Sequence, residues 1–533
     1  MSMRGSELDG VGAMARLALR RDRIRLPVWL GAILGVVYAS AAAVQSTYST
    51  PDELDSYAST MGSSAAAIAM SGPPVALHTP GGVTVYEIST TAMVSVALMA
   101  VLLVIRHTRA EEEAGRFELL RSTVVGSQAP AAAAVLVVGG AAVAAGAGIA
   151  AILLAQGLPA TGSLLYGTSV AAVGVVFTVI GACAAQVTAH ARGAVGISTA
   201  VLGASFALRA VGDVGANGLS WVSPFGWSQA VHPYGDERWW PLLVAGGVAV
   251  AVSAVVAGLT TRRDVGSGLV PPRPGPGVAS PRLLSAVGLA ARLQRGLVIG
   301  WGLGMFGAGL AFGSFGREVT AMVADNPELA AAFAYAGSAG LVDAFFATVL
   351  AILAIVSAGF TVSSVLRLRA EESSGRVEPL LATGLSRRRW LLGNLLVTFL
   401  GTVLVLAAAG LGAGLAHGLA SNDIGELPRL LASMLVFAPA VLALGSLGVL
   451  LFGWLPRAAI AVWAALALCV VNGWLGPLLD LPGWLLDLSP YTHVPAVPVE
   501  TVRAAPLLLL AAVAGLMAVG GLAGLRRRDV DVS

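Results

Sequence analysis

Long apolar runs separated by short polar breaks pattern the whole 533-residue chain. A helix needs roughly 20 apolar residues to cross the hydrocarbon core of a bilayer, and twelve runs approach or exceed that length. In the first half they cover 26–44, 88–105, 129–155, 164–188, 195–207 and 241–259, and in the second half 298–315, 341–366, 390–415, 430–454, 458–475 and 505–525. The fifth is the weakest, because Arg209 and Asp213 crowd its outer end. The pattern predicts an all-α integral membrane protein of about twelve transmembrane helices.

The polar breaks carry a second pattern. Arg109-Ala-Glu-Glu-Glu-Ala-Gly-Arg116-Phe-Glu118-Leu-Leu120, after the second run, returns after the eighth as Arg369-Ala-Glu-Glu-Ser-Ser-Gly-Arg376-Val-Glu378-Pro-Leu380. The duplication reaches further. Pro241-Leu-Leu opens a run that ends Arg262-Arg263-Asp264-Val265, and Pro506-Leu-Leu opens one that ends Arg527-Arg528-Asp529-Val530, an offset of 265 throughout. Ser223-Pro-Phe-Gly-Trp227 answers Ser489-Pro-Tyr-Thr-His493, and the helix-start signal Pro51-Asp-Glu-Leu54 answers Asn326-Pro-Glu-Leu329. The organisation expected is a first six-span repeat over 1–263, a Pro/Gly-rich linker over 264–281, and a second repeat over 282–533. An even span count per half makes the two repeats parallel, related by an axis along the membrane normal, as a fused pseudo-dimer.

Composition agrees with a bilayer protein: 56% hydrophobic, 11% charged, mean hydropathy +0.82. Lysine is absent, so orientation rests on arginine. With the N-terminus in the cytoplasm, 27 of the 32 basic residues fall on that side. The positive-inside rule then places both termini and both duplicated phrases there. A multi-pass protein of a bacterial cytoplasmic membrane is expected. Basic amphipathic stretches precede the first span of each half: Arg16, Arg20 and Arg23 opposite Val11, Met14 and Leu17, and Arg292 and Arg295 beside Leu283, Leu284 and Val287. Such helices lie in the headgroup plane, or only supply inside charge. Cys183 and Cys469 both lie within spans, and the six histidines stand singly, so no disulfide and no metal are assigned.

Read as a helix, Glu111, Gly115 and Glu118 share a face, as do Glu371, Gly375 and Glu378. Glu112 to Arg116 and Glu372 to Arg376 are i, i+4 pairs worth ~0.3–0.5 kcal/mol each. Glycine inside a helix costs roughly 0.5–1 kcal/mol relative to alanine, so its presence in both copies points to close approach by another backbone. The competing reading is a solvated helix whose charges only prevent insertion. Arg109, Glu111, Glu112, Gly115, Arg116 and Glu118, with Arg369, Glu371, Glu372, Gly375, Arg376 and Glu378, are the candidate coupling residues. Glu87 and Asp343, near the outer ends of the second and eighth spans, are candidates for a substrate path, or are interfacial acids meeting outside water.

Glu-Glu-x-x-Gly-Arg-x-Glu-x-Leu after the second of six spans resembles the cytoplasmic coupling segment of ABC-2-type exporter permeases. The fused twelve-span form, with Arg-Ala-Glu-Glu in both copies and Ser-Pro-Phe-Gly-Trp before the sixth span, resembles the actinobacterial permeases that export polyketide antibiotics of the tetronasin type. The resemblance implies outward transport of drugs, polyketide antibiotics or lipids. Pro379, where the first copy has Leu119, predicts a shortened or kinked second helix. A P-loop requires the lysine of Gly-x-x-x-x-Gly-Lys-Ser/Thr, and no lysine is present. The chain is therefore read as a transporter subunit without cofactor of its own. ATP and Mg would bind a separate ATPase, in two copies because there are two phrases. Its other partners would be membrane lipid and a hydrophobic small molecule, and no nucleic acid is expected. The rivals are an ion-coupled antiporter, which needs mid-membrane carboxylates that are scarce here, and a non-transporting scaffold or sensor paired with an ATPase.

Overall fold

The computed structural model describes residues 7–48, 50–116, 125–262, 266–270, 275, 277–316, 337–475 and 482–528. Among these residues the regular structure is helical throughout. Twelve helices among the described residues are long and apolar enough to cross a membrane: Arg25–Thr47, Pro80–Glu113, Ala129–Ala155, Ala160–Val187, Ala191–Val214, Pro241–Arg262, Ala286–Ser314, Val342–Ser373, Arg387–Ser421, Glu426–Trp454, Pro456–Gly473 and Ala504–Arg527. They are called the first to twelfth spans, and each expected apolar run falls on one of them. By internal contacts the chain divides into two compact units, Met1–Gly275 and Pro276–Ser533, so each unit holds six of these helices.

Within the first unit the second and fourth spans are central: 67% of their apolar window is buried, against 22% in the first and fifth and 17% in the sixth. The eighth span holds the same place in the second unit, also at 67%. The helices that run into the duplicated phrases are thus central helices of their units. Glycine allows the closest crossings. A Cβ on Gly146 would stand 2.2 Å from the Gly167 carbonyl oxygen, so the third and fourth spans meet backbone to backbone. In the second unit Gly309 and Gly313 press the seventh span onto the Ala409 and Ala413 carbonyls of the ninth.

The fifth span runs on through its charged end, to Val214. Arg209 is buried there with Asp213 at 3.5 Å and donates to the carbonyls of Ile68 and Met70, which supplies the partners a charge needs away from water. The Pro51-Asp-Glu-Leu54 signal starts a helix, Pro51–Ser63, closed by a capping box between Thr50 and Glu53. Its counterpart at 326–329 lies outside the described residues.

The two amphipathic stretches differ from expectation and from each other. In the first unit a separate helix, Val11–Arg21, turns Met14 and Leu17 toward Ala133 and Ala134 of the third span rather than outward alone. It ends at Asp22, a fully buried carboxylate that accepts from Arg106 and His107. In the second unit Arg292 and Arg295 belong to the seventh span itself, a single helix from Ala286 to Ser314. No buried acid interrupts it. Gln294 instead lies inside the helix and bonds neutrally with Asn394 and Ser364.

Gly309→Leu is expected to force the seventh span off the ninth and destabilise the purified protein by roughly 1–3 kcal/mol. Gly307→Leu, whose added Cβ meets nothing within 4 Å, should leave the melting temperature unchanged. Thermal scanning of both variants in one detergent checks the pair.

Candidate functional site

In the first unit the second span bends at Thr108, whose backbone leaves the helical region (φ −114, ψ −91) while its hydroxyl donates to the Val104 carbonyl at 2.7 Å. A last turn, Arg109–Glu113, follows. Arg109 is 1% exposed. Its guanidinium donates to the Ala185 carbonyl at 2.9 Å, to the Ser267 carbonyl at 2.9 Å and to Glu112 at 2.7 Å. It thus joins the second span to the end of the fourth and to the chain just beyond the sixth. That segment also lies along the fourth span, with Leu269 and Val270 donating to the Gln186 and Val187 carbonyls.

Glu111 is buried and accepts from two arginines. Arg21, at the end of the N-terminal helix, meets Oε2, and Arg116 closes on both oxygens at 2.9 and 3.2 Å. Glu113, which the sequence reading passed over, caps the fifth span by accepting from the Ala191 N–H at 3.0 Å and facing His190 at 3.3 Å.

The second unit builds the same corner with other pairs. Arg367 donates to Glu371 at 2.8 Å, and Arg369 to the Arg457 carbonyl at 3.0 Å. Glu372, 5% exposed, accepts from both terminal guanidinium nitrogens of Arg528 at 2.5 and 2.7 Å. Arg528, the residue just after the twelfth span, lies over the Phe452 ring at 5.0 Å and donates to the Phe452 carbonyl. Each phrase is therefore fastened to the segment that follows its unit's last span, through Ser267 in one unit and Arg528 in the other.

These contacts correct the expected register. Gly115 and Gly375 do not lie within a helix: they stand at φ +70 and +68, in the left-handed region, and their N–H groups bond the Glu112 and Glu372 carbonyls at 2.9 Å. Each ends its helix, because glycine alone enters that conformation without steric cost. The expected Glu112 to Arg116 and Glu372 to Arg376 pairs are replaced, since the chain turns before the second member of each. Arg116 reaches Glu111, and Glu372 is held by Arg528. No acidic face forms from Glu111 or Glu371, both turned inward. Pro379 kinks nothing: it sits in the first turn of a new short helix, Val377–Ala382, where its missing N–H is of no consequence. Glu118 lies outside the described residues. What the turns present outward is Gly115 with Arg116, and Arg376 with Glu378 near Gly375. A Cβ on either glycine meets nothing of this chain within 4 Å.

The two outer acids are both engaged. Glu87 accepts from the Tyr57 hydroxyl, in a cluster where the Tyr48 and Tyr57 rings stand edge to face at 4.8 Å. Burial, and then the Glu87 carboxylate, hold the Tyr57 hydroxyl far above its ordinary range, so it remains a donor. Asp343 accepts from Arg429 at 2.7 Å, and Arg429 also pairs with Glu426 at 2.9 Å.

Two comparisons bear on this arrangement. The family described as "Multidrug efflux system permease Rv1217c, C-terminal domain" matches residues 283–526. The "Multidrug efflux system permease protein Rv1217c" of Mycobacterium tuberculosis (strain ATCC 25618 / H37Rv) is 40% identical over 539 residues, covering 99% of this chain and 96% of that protein.

Replacing Arg109 by methionine is expected to cost roughly 3–5 kcal/mol, because the buried acid and carbonyls that share its guanidinium lose their partner. Arg116→Met, at a side chain 54% exposed, should cost at most about 1 kcal/mol. Thermal stability of the two purified variants separates these outcomes.

Proposed function

The chain belongs to the family of multidrug efflux system permeases, and on that premise we propose that it is the membrane-spanning subunit of an ATP-driven exporter of the ABC-2 type. It moves hydrophobic or amphipathic compounds (drugs, polyketide antibiotics or lipids) out of the cell. Two copies of a separate ATPase, which carry the ATP and Mg, dock on the turns at Gly115 and Gly375. The protein resides in the bacterial cytoplasmic membrane as two six-helix repeats, with both termini and both turns in the cytoplasm.

The observation that carries this reading is the pair of glycine-ended turns, each open outward and fastened behind by buried ion pairs. A load applied at such a turn is passed to a central helix and, through Arg109 or Glu372, to the end of the unit, so the helices move together rather than the turn yielding alone. The contact differs from the acidic face expected from sequence: the partner would meet the turn's backbone and the exposed arginines. The absence of lysine favours an external ATPase. The state of Glu87 and Asp343 favours it over an ion-coupled antiporter, since both acids already have hydrogen-bond partners.

Gly115→Val with Gly375→Val forces a β-branched residue into the left-handed region and is expected to abolish export while ATP hydrolysis by the bound ATPase continues. The Asn pair, which tolerates that conformation, should retain export. Wild-type export from the double valine variant would remove the turns from the coupling path. In vesicles carrying the whole complex, efflux is expected to require ATP and to survive a protonophore. Efflux that runs without ATP and stops with the protonophore would make the protein a secondary transporter.

A further inference from the structure

In the second unit a cavity of about 410 Å³ lies between the tenth, eleventh and twelfth spans, within the range of small-molecule sites. Leu444, Leu447, Leu468, Leu510, Val513 and Met517 make its walls, and Asp487 and His493 stand at its mouth. It follows the twelfth span from Pro506 to Met517, about 16 Å of helix rise. Leu488 and Leu509, 64% and 67% exposed, form a lip on its open side.

The first unit shows what closes such a space. Both units carry the same local turn: Ser223 accepts from the Phe225 N–H and Ser489 from the Tyr491 N–H, and the aromatic side chain in each is buried. Two residues on, the ring nitrogen of Trp227 donates to the Trp221 carbonyl at 2.6 Å, and that of His493 meets the Asp487 carbonyl at 2.9 Å, six residues back in both cases. Backbone register is kept and the side chain differs. In the first unit Trp227 is 8% exposed and packs with Val176, Val179, Ala245 and Ala249, with Val244, Val248 and Val252 against the same cluster. Positions 244, 245, 248 and 252, shifted by the repeat offset of 265, are Leu509, Leu510, Val513 and Met517. The residues that close on the indole in one unit line an open cavity in the other, where the smaller imidazole turns to the mouth.

We propose that this cavity is a binding site for a hydrophobic cation, whose apolar body fills the space left by the missing indole and whose charge meets the Asp487 carboxylate. The side chain of Asp487 is exposed and has no hydrogen-bond or ion-pair partner among the described residues, so the mouth of the cavity offers a free negative charge beside an apolar interior. A ligand dissolved in the bilayer enters sideways over Leu488 and Leu509. The inference deepens the exporter reading and rests on it only for the direction in which the ligand then travels.

The test uses the full chain in nanodiscs, without ATPase or ATP, and two probes of one shape and opposite charge, tetraphenylphosphonium and tetraphenylborate. Saturable phosphonium binding is expected, with the borate weaker by about tenfold or more. His493→Trp, and independently Val513→Phe from the opposite wall, should each weaken phosphonium binding by about tenfold. Asp487→Asn should remove the preference between the ions, and Trp227→His should leave phosphonium affinity at least as high as in the parent. Non-saturable partitioning, as from a cavity filled by lipid acyl chains, would overturn the proposal, as would equal binding of the two ions or indifference to both filling variants. Because no transport is measured, loss of ATP-driven export with binding intact counts against the exporter reading alone.

Discussion

A guanidinium buried at the end of a central helix holds the arginine-rich corner of the first unit together. The Arg109 guanidinium carries five N–H donors and no acceptor, so in a nearly dry position it must find acceptors for them. It finds them on three different stretches of chain: its own last turn, the end of the fourth span and the segment after the sixth. A buried charge left without partners is far costlier than any surface contact. That requirement makes the corner hard to open piecemeal. Around it, Glu111 draws in Arg21 and Glu113 caps the fifth span, so the N-terminal helix and the second, fourth and fifth spans end in one connected polar knot.

The second unit meets the same demand through Glu372 and Arg528, with the charge supplied by the residue just after the last span and the acceptor by the phrase. In both units the helix stops immediately after the knot, at a left-handed position that glycine occupies without steric cost. A firm base and an abrupt turn are what a mechanical contact needs, since a flexible loop would absorb displacement. The outer acids have no comparable role: Glu87 and Asp343 are local hydrogen-bond acceptors.

The spans were legible because hydropathy accumulates over about 20 residues, and a single charged pair such as Arg209 with Asp213 cannot reverse such a sum. The duplicated phrases were legible as a repeat but not as a geometry. Helical spacing assigned Glu112 to Arg116, whereas the partners that tie the phrases to other stretches of chain lie 76 to 158 residues away, beyond the reach of any local rule. Two signals were available. Glycine at the same place in both copies fits a helix end as well as a close approach, and Arg528 belongs to the repeated Arg-Arg-Asp-Val ending. Asp22, the one acid amid the arginines at 16–25, also stood out as a residue in need of a partner. Trp227 and His493 were read as members of matching motifs, yet their consequence depends on which walls they face, which only packing shows.

The proposed export mechanism requires that a partner touch this protein at the two glycine turns. A photoreactive benzoylphenylalanine placed at Ala114, or at Ser374, directly precedes a turn glycine at an exposed position. In membranes carrying the assembled exporter, irradiation should give a covalent adduct with the ATPase from each position separately. Export that continues normally while neither position yields an ATPase adduct would contradict the account.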